Sequence, residues 1–236
     1  MDTMTTQSKT SSESNTCKWC EKTFMSERTQ SAHMCIKKRR MADKDLTHTR
    51  LGYRVFQMFY ELNTSASKPK SQEDFVKSQY YDGFVKFGRS CVTNEYLNPE
   101  LFAEWLIKNG KKLADWTKDS LYDEWLLTYV KKEPGMKALE RTIMYLSKWA
   151  EEHNCDWQDY FSKVTTPRAV YDLRSAKVSP WMLYLCESGD ELLTRFSDEQ
   201  VKMIEHIIDA TFWMKLFANN KSEVTDVKGA CKIAGI

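Results

Sequence analysis

The chain has 236 residues, 42% of them apolar, 13% aromatic and 29% charged, a globular composition long enough to bury a sizeable core. Eight glycines and five prolines are few, which favours helix over a turn-rich β fold. A net charge of +2 excludes a whole-chain electrostatic case for nucleic acid, and without a run of eighteen apolar residues the sequence offers no membrane span.

Residues 1–14 are rich in Ser and Thr, lack the apolar stretch of a signal peptide, and read as a disordered lead. Residues 15–44 are the first informative segment. Cys17-Lys-Trp-Cys20 forms a knuckle that can aim two thiolates at one point, and twelve residues separate Cys20 from His33. That is the spacing of a ββα zinc finger, with Phe24 where such a finger covers its metal. The last ligand departs from the pattern. Lys37, Lys38 and Arg39 occupy the usual positions, so Cys35 is the nearest candidate. Residues two apart do not share a helix face, so a short helix from about Glu27 must stop near His33 for the chain to fold Cys35 back. The reading is a Zn2+ site of Cys17, Cys20, His33 and Cys35. The alternatives are four reduced side chains in a disordered tail, or a different fourth ligand such as His48.

Seven cysteines is an odd count, and Cys91, Cys155, Cys186 and Cys231 carry no pairing motif. That suits a reducing cytoplasm with free thiols. Residues 1–50 hold ten Lys or Arg against six Asp or Glu, an excess of four, so the remaining chain is slightly acidic. The run Lys37-Lys38-Arg39-Arg40 can grip phosphates or serve as a solvated helix end.

From about residue 47 the apolar spacing turns helical. Leu51, Val55, Met58 and Phe59 predict a helix to about Leu62, followed by a loop over 63–70. Ser71 with Glu73 and Asp74 starts another helix, whose face of Phe75, Val76, Tyr80, Phe84, Val85 and Phe87 is open to interruption at Gly83 and Gly88. Asn98-Pro99-Glu100 starts a helix that Asn109-Gly110 ends. Further helices are expected from Leu121 to Val130, with Pro134-Gly135 as a break, and from Met136 to Glu152. Trp157 to Phe161 reads as a brief turn, and Thr166-Pro167, Ser179-Pro180 and Ser197-Asp-Glu199 as helix starts. Asp209 to Ala218 is the last strong element. The fold class is therefore mainly α: a small ββα-type finger over 15–44, then one compact all-α domain over 45–236.

The order of the finger, the KKRR run, FVKSQYYDGFVKFGR, LNPELFAEWLIKNG and Ser179-Pro180-Trp181 is similar to that of uncharacterised proteins of large tailed bacteriophages. The resemblance implies a host-cytoplasmic setting and no particular activity.

No phosphate-binding glycine loop, nucleophile elbow or His-Glu-x-x-His is present, and His48, His153 and His206 read as capping, surface and packing imidazoles. Tyr80, Tyr81, Phe84, Lys86, Phe87 and Arg89 alternate rings with cations, a pattern of base-stacking platforms and also of helix cores. The leading function is a non-enzymatic nucleic-acid-binding or regulatory accessory protein. In it Arg28, Lys37, Lys38, Arg39 and Arg40 contact phosphate, and Gln30 reads a base, since a side-chain amide pairs with adenine. The partner would be nucleic acid, DNA before RNA. The alternative is a protein–protein adaptor docking through the α domain, and the third is an enzyme acting on nucleic acid.

Overall fold

The computed structural model describes residues 15–64 and 68–236, and the periodicity of the sequence becomes a series of helices joined by short turns. The proposed lead over residues 1–14 and the middle of the 63–70 loop lie outside the described residues. No helix among those described is long and apolar enough to cross a membrane. The chain divides into two compact units, one up to Thr117 and the other from Lys118. Residues 45–236, read as one domain, are thus shared between both.

The first unit carries α1 (Glu27–Ala32), α2 (Ile36–Ala42), α3 (Thr47–Asn63), α4 (Gln72–Lys77), α5 (Tyr81–Thr93) and α6 (Pro99–Lys108). Its core is aromatic: Phe56, Phe75, Phe84, Phe87, Phe102 and Trp116 are fully buried. Their rings meet at tilted and edge-on angles, with Phe56 5.0 Å from Phe75 and Phe87 5.4 Å from Trp116. These offset geometries suit the ring quadrupoles. The Trp116 indole donates to the Lys111 carbonyl at 2.9 Å, so its one polar atom is satisfied.

The interruption expected at Gly83 or Gly88 does not occur. The chain breaks earlier, at Ser78–Tyr80, and α5 runs through both glycines. At Gly88 the missing side chain allows close helix packing: a Cβ there would run into the His48 carbonyl of α3, and one on Gly52 would meet the Phe84 carbonyl at 2.8 Å. Tyr81, Phe84 and Phe87 are consequently core residues, and Tyr80 alone of the four rings in that segment is exposed. This packing removes Tyr81, Phe84 and Phe87 from any stacking platform over 80–89 and leaves Tyr80 as its one ring at the surface. The end of α6 follows its sequence signal, with Gly110 at φ 61°. The Gly110 and Lys111 amides bond back to Ile107 and Leu106, each at 3.0 Å, which closes the helix as a Schellman motif.

The second unit is built from α7 (Asp119–Val130), α8 (Gly135–His153), α9 (Tyr160–Lys163), α10 (Thr166–Arg174), α11 (Pro180–Leu185), α12 (Glu187–Thr194), α13 (Asp198–Ile208), α14 (Ala210–Asn219) and α15 (Lys221–Ala234). Trp181, Trp213, Tyr160, Phe161 and Leu146 are fully buried. Indole donors again find carbonyls, Trp181 that of Glu133 at 3.2 Å and Trp213 that of Ile207 at 2.7 Å. His206, expected to pack, is exposed on α13, and His153 stacks on Trp149 with ring centres 4.3 Å apart.

Candidate metal centre

The knuckle is closed by its own backbone. The Glu21 amide donates to the Cys17 carbonyl at 2.8 Å and the Cys17 amide to Lys22 at 2.9 Å. Glu21 takes a left-handed φ of 61°, a conformation seldom adopted by a residue with a side chain, and this turns the chain back on itself. Thr16 and Thr23 then pair in one isolated antiparallel bridge. No strand is present among the described residues, so the ββ hairpin of the expected finger is reduced to this bridge.

Ser26 caps α1 and exchanges hydrogen bonds with Thr29. The helix is only six residues long and ends at Ala32. His33 and Cys35 both have extended backbone, φ −68°, ψ 124° and φ −80°, ψ 165°. In an extended chain, side chains two apart point to the same side. This is how His33 and Cys35 reach one point although helical residues two apart cannot. Cys35 then caps α2, its Sγ accepting from the Lys38 amide at 3.4 Å.

The structure brings together all four residues. Their ligand atoms lie within 4.8 Å of one another, with Cys17 Sγ 4.0 Å from Cys35 Sγ and Cys20 Sγ 3.2 Å from His33 Nε2. Ligands bound tetrahedrally at Zn–S of about 2.3 Å and Zn–N of about 2.0 Å would be roughly 3.5–3.8 Å apart. The two separations bracket that range, so the four side chains are grouped closely enough that they could hold a metal ion. His48 is not part of the group. Phe24 lies against the imidazole, ring centres 4.6 Å apart, and shields that flank. Cys17 is buried, Cys35 half-buried and Cys20 exposed.

Electrostatics prepares the thiols unequally. The amides of Cys20 and Trp19 draw the Cys17 thiol down to about 7, against the opposing effect of burial. The Lys22 amide acts likewise on Cys20, but burial and the Cys17 and Cys35 sulfurs outweigh it and leave that thiol raised. Three sulfurs and one imidazole form a soft donor set, suited to Zn2+ and other thiophilic ions and unsuited to Mg2+ or Ca2+.

The residues expected to touch nucleic acid are placed differently from one another. Arg28 and Arg39 are exposed and Lys37 half-buried. Lys38 turns its ammonium onto the carbonyls of Ser31 and His33, at 3.1 and 3.2 Å, closing the end of α1. The Gln30 amide donates to the Thr16 carbonyl at 2.7 Å and ties α1 to the knuckle. Arg40 points into the unit, donating to the Val76 and Ser78 carbonyls at 3.1 and 3.2 Å and to Asp82 at 2.8 Å, with its guanidinium 4.3 Å from the Tyr81 ring centre. Its side chain is 17% exposed. Four consecutive cations were read as one group, but a helix distributes them around its axis. Compared with known proteins, the chain matches no family model, no curated protein and no solved structure.

Proposed function

We propose that Zn2+ occupies the Cys17, Cys20, His33 and Cys35 tetrad and folds the N-terminal module, and that the protein is a non-enzymatic accessory factor that contacts nucleic acid through it. The observation that carries this reading is the convergence of four soft ligand atoms within 4.8 Å on a segment with too little chain to fold by burial alone. Phosphate contact rests on Arg28, Lys37 and Arg39. Gln30, Lys38 and Arg40 leave the contact set, because their polar atoms are engaged inside the unit. The charge excess of the first fifty residues supports the assignment, and a bacteriophage protein working in the host cytoplasm is the setting the sequence resemblance suggests.

The test is an anisotropy titration of labelled duplex and single-stranded oligonucleotides with the zinc-loaded chain at several salt concentrations, beside a triple variant Arg28→Ala, Lys37→Ala, Arg39→Ala. Affinity that falls steeply with salt and is lost in the variant supports the reading. Affinity independent of salt, or unchanged in the variant, contradicts it.

A second reading, a protein-docking adaptor, is favoured by one observation. Three large apolar side chains in the same segment, Met25, Met34 and Ile36, are exposed. Zinc-loaded protein that binds no oligonucleotide at low salt would favour this adaptor.

A further inference from the structure

A second cluster, in the unit from Lys118, is assembled around an exposed ring. Asp172 on α10 is fully buried. Its carboxylate accepts from the Tyr145 hydroxyl of α8 at 2.6 Å, from the Tyr160 hydroxyl at 2.7 Å and from Arg168 Nε at 3.0 and 3.1 Å. Arg168 also donates to the Tyr145 hydroxyl at 2.7 Å. Burial holds both phenols above their ordinary range, so they stay protonated as donors.

The turn after α10 is fixed as firmly. Ala176 has a φ of 54°, left-handed backbone that a residue with a Cβ takes only when its surroundings impose it. Arg141, paired with buried Glu133 at 2.7 and 2.9 Å, donates to the carbonyls of Ala176 and Lys177. The turn thereby presents the Lys177 ammonium 5.5 Å from the Tyr145 ring centre and 5.4 Å from that of Tyr171. The Arg168 guanidinium lies 5.6 Å from the same Tyr171 ring.

Buried ion pairs seldom stabilise a fold more than apolar packing would, and left-handed alanine adds strain. Here two such pairs and one strained turn hold two cations and a ring at the surface, and Tyr171 is 52% exposed. Apart from the neutralised Asp172, α10 carries no acid along its sequence TPRAVYDLR.

We propose that Tyr171, flanked by Arg168 and Lys177, is a stacking platform for single-stranded nucleic acid. An unpaired base stacks on the exposed Tyr171 ring in place of Lys177, whose ammonium now lies over it and turns to an adjoining phosphate. Arg168 stays held by Asp172 and the Tyr145 hydroxyl and adds its positive field. Duplex bases have no free face and do not enter. The site contains no group set to read a base edge, so it tolerates any sequence. The platform belongs to the unit from Lys118 and uses no residue of the metal module.

The experiment uses the full zinc-loaded chain with labelled oligo-deoxythymidine, oligo-uridine and a DNA duplex. Tyr171→Ala weakens both single strands by about 5- to 100-fold, the loss expected for one stacked base, and leaves the duplex unchanged. Tyr171→Trp retains binding, and Lys177→Ala lowers the salt slope by about one. An unchanged melting temperature for Tyr171→Ala shows that the fold is intact. Single-strand affinity unchanged in Tyr171→Ala, or no single-strand binding by the parent chain, overturns the proposal. Loss in the Arg28/Lys37/Arg39 variant with none in Tyr171→Ala would leave the metal module as the binder and remove only the platform.

Discussion

Cys35 Sγ lies 4.0 Å from Cys17 Sγ, across eighteen residues of sequence, while accepting a hydrogen bond from the Lys38 amide that starts α2. One sulfur therefore serves as a candidate ligand and as a helix cap. Cys35→Ser keeps an acceptor for the cap but replaces the soft ligand. Its Zn2+ affinity, measured by competition with a chromogenic chelator, is expected to fall by more than about 100-fold, the upper range for loss of an outer-shell partner. The helix content of the zinc-free form should not change.

Thiol reactivity should divide the cysteines into two groups. Burial pushes Cys91 up to about 12 and Cys231 up to about 11, and Cys186 is raised for the same reason. These three should resist alkylation at neutral pH with or without metal, because the thiolate is the reactive form. Cys17, drawn down to about 7, is expected to react once zinc is removed and to be protected when it is bound. Mass spectrometry after a short alkylation pulse reads each site. A thiol pKa held below its unfolded value favours the folded module, fully so above the unfolded value, and the contribution is lost as pH falls through the folded one, about 7. Acidification should therefore release metal, since protons compete for every ligand.

Arg39 and Arg40 are neighbours in sequence with opposite expected phenotypes. Arg40→Ala removes two hydrogen bonds to carbonyls and the Tyr81 contact, and should lower stability by about 1–3 kcal/mol. Its ion pair with exposed Asp82 adds little. Arg39→Ala should leave stability unchanged and weaken oligonucleotide binding. Denaturant melts beside the salt titration separate the two.

The contact between Gly88 and His48 predicts that Gly88→Ala is destabilising, although alanine is the better helix former. The added methyl meets backbone, which cannot rotate away, so about 1–3 kcal/mol or more should be lost. Chemical denaturation checks it.

Helix starts and stops were the most legible part of the sequence, because capping chemistry is local. Ser71, Ser197, Pro99 and Gly110 act where their residue types place them. The grouping of Cys17, Cys20, His33 and Cys35 into a candidate metal centre was legible for the same reason, since their types and spacing carry the chemistry. The elements that went unread have weak apolar stripes. In α15 only Val227 and Cys231 are buried, in α12 only Gly189 and Leu192, and α2 buries nothing. Gly88 looked like a breaker because its partner, the His48 carbonyl, is forty residues away. Gln30, Lys38 and Arg40 were assigned to a ligand because their partners inside the unit are carbonyls, which leave no mark on sequence. The Tyr171 cluster was missed on similar grounds. Its members come from α8, α9, α10 and the turn after it, and Tyr171 alone looks like an ordinary surface residue.

Zinc-edge X-ray absorption on the purified full chain, with elemental stoichiometry, tests the metal site most directly. One zinc per chain is expected, bound by three sulfurs and one nitrogen, with one sulfur lost in Cys35→Ser. A chain that holds no zinc, or a shell of two sulfurs and two nitrogens unaltered in Cys35→Ser, would contradict it.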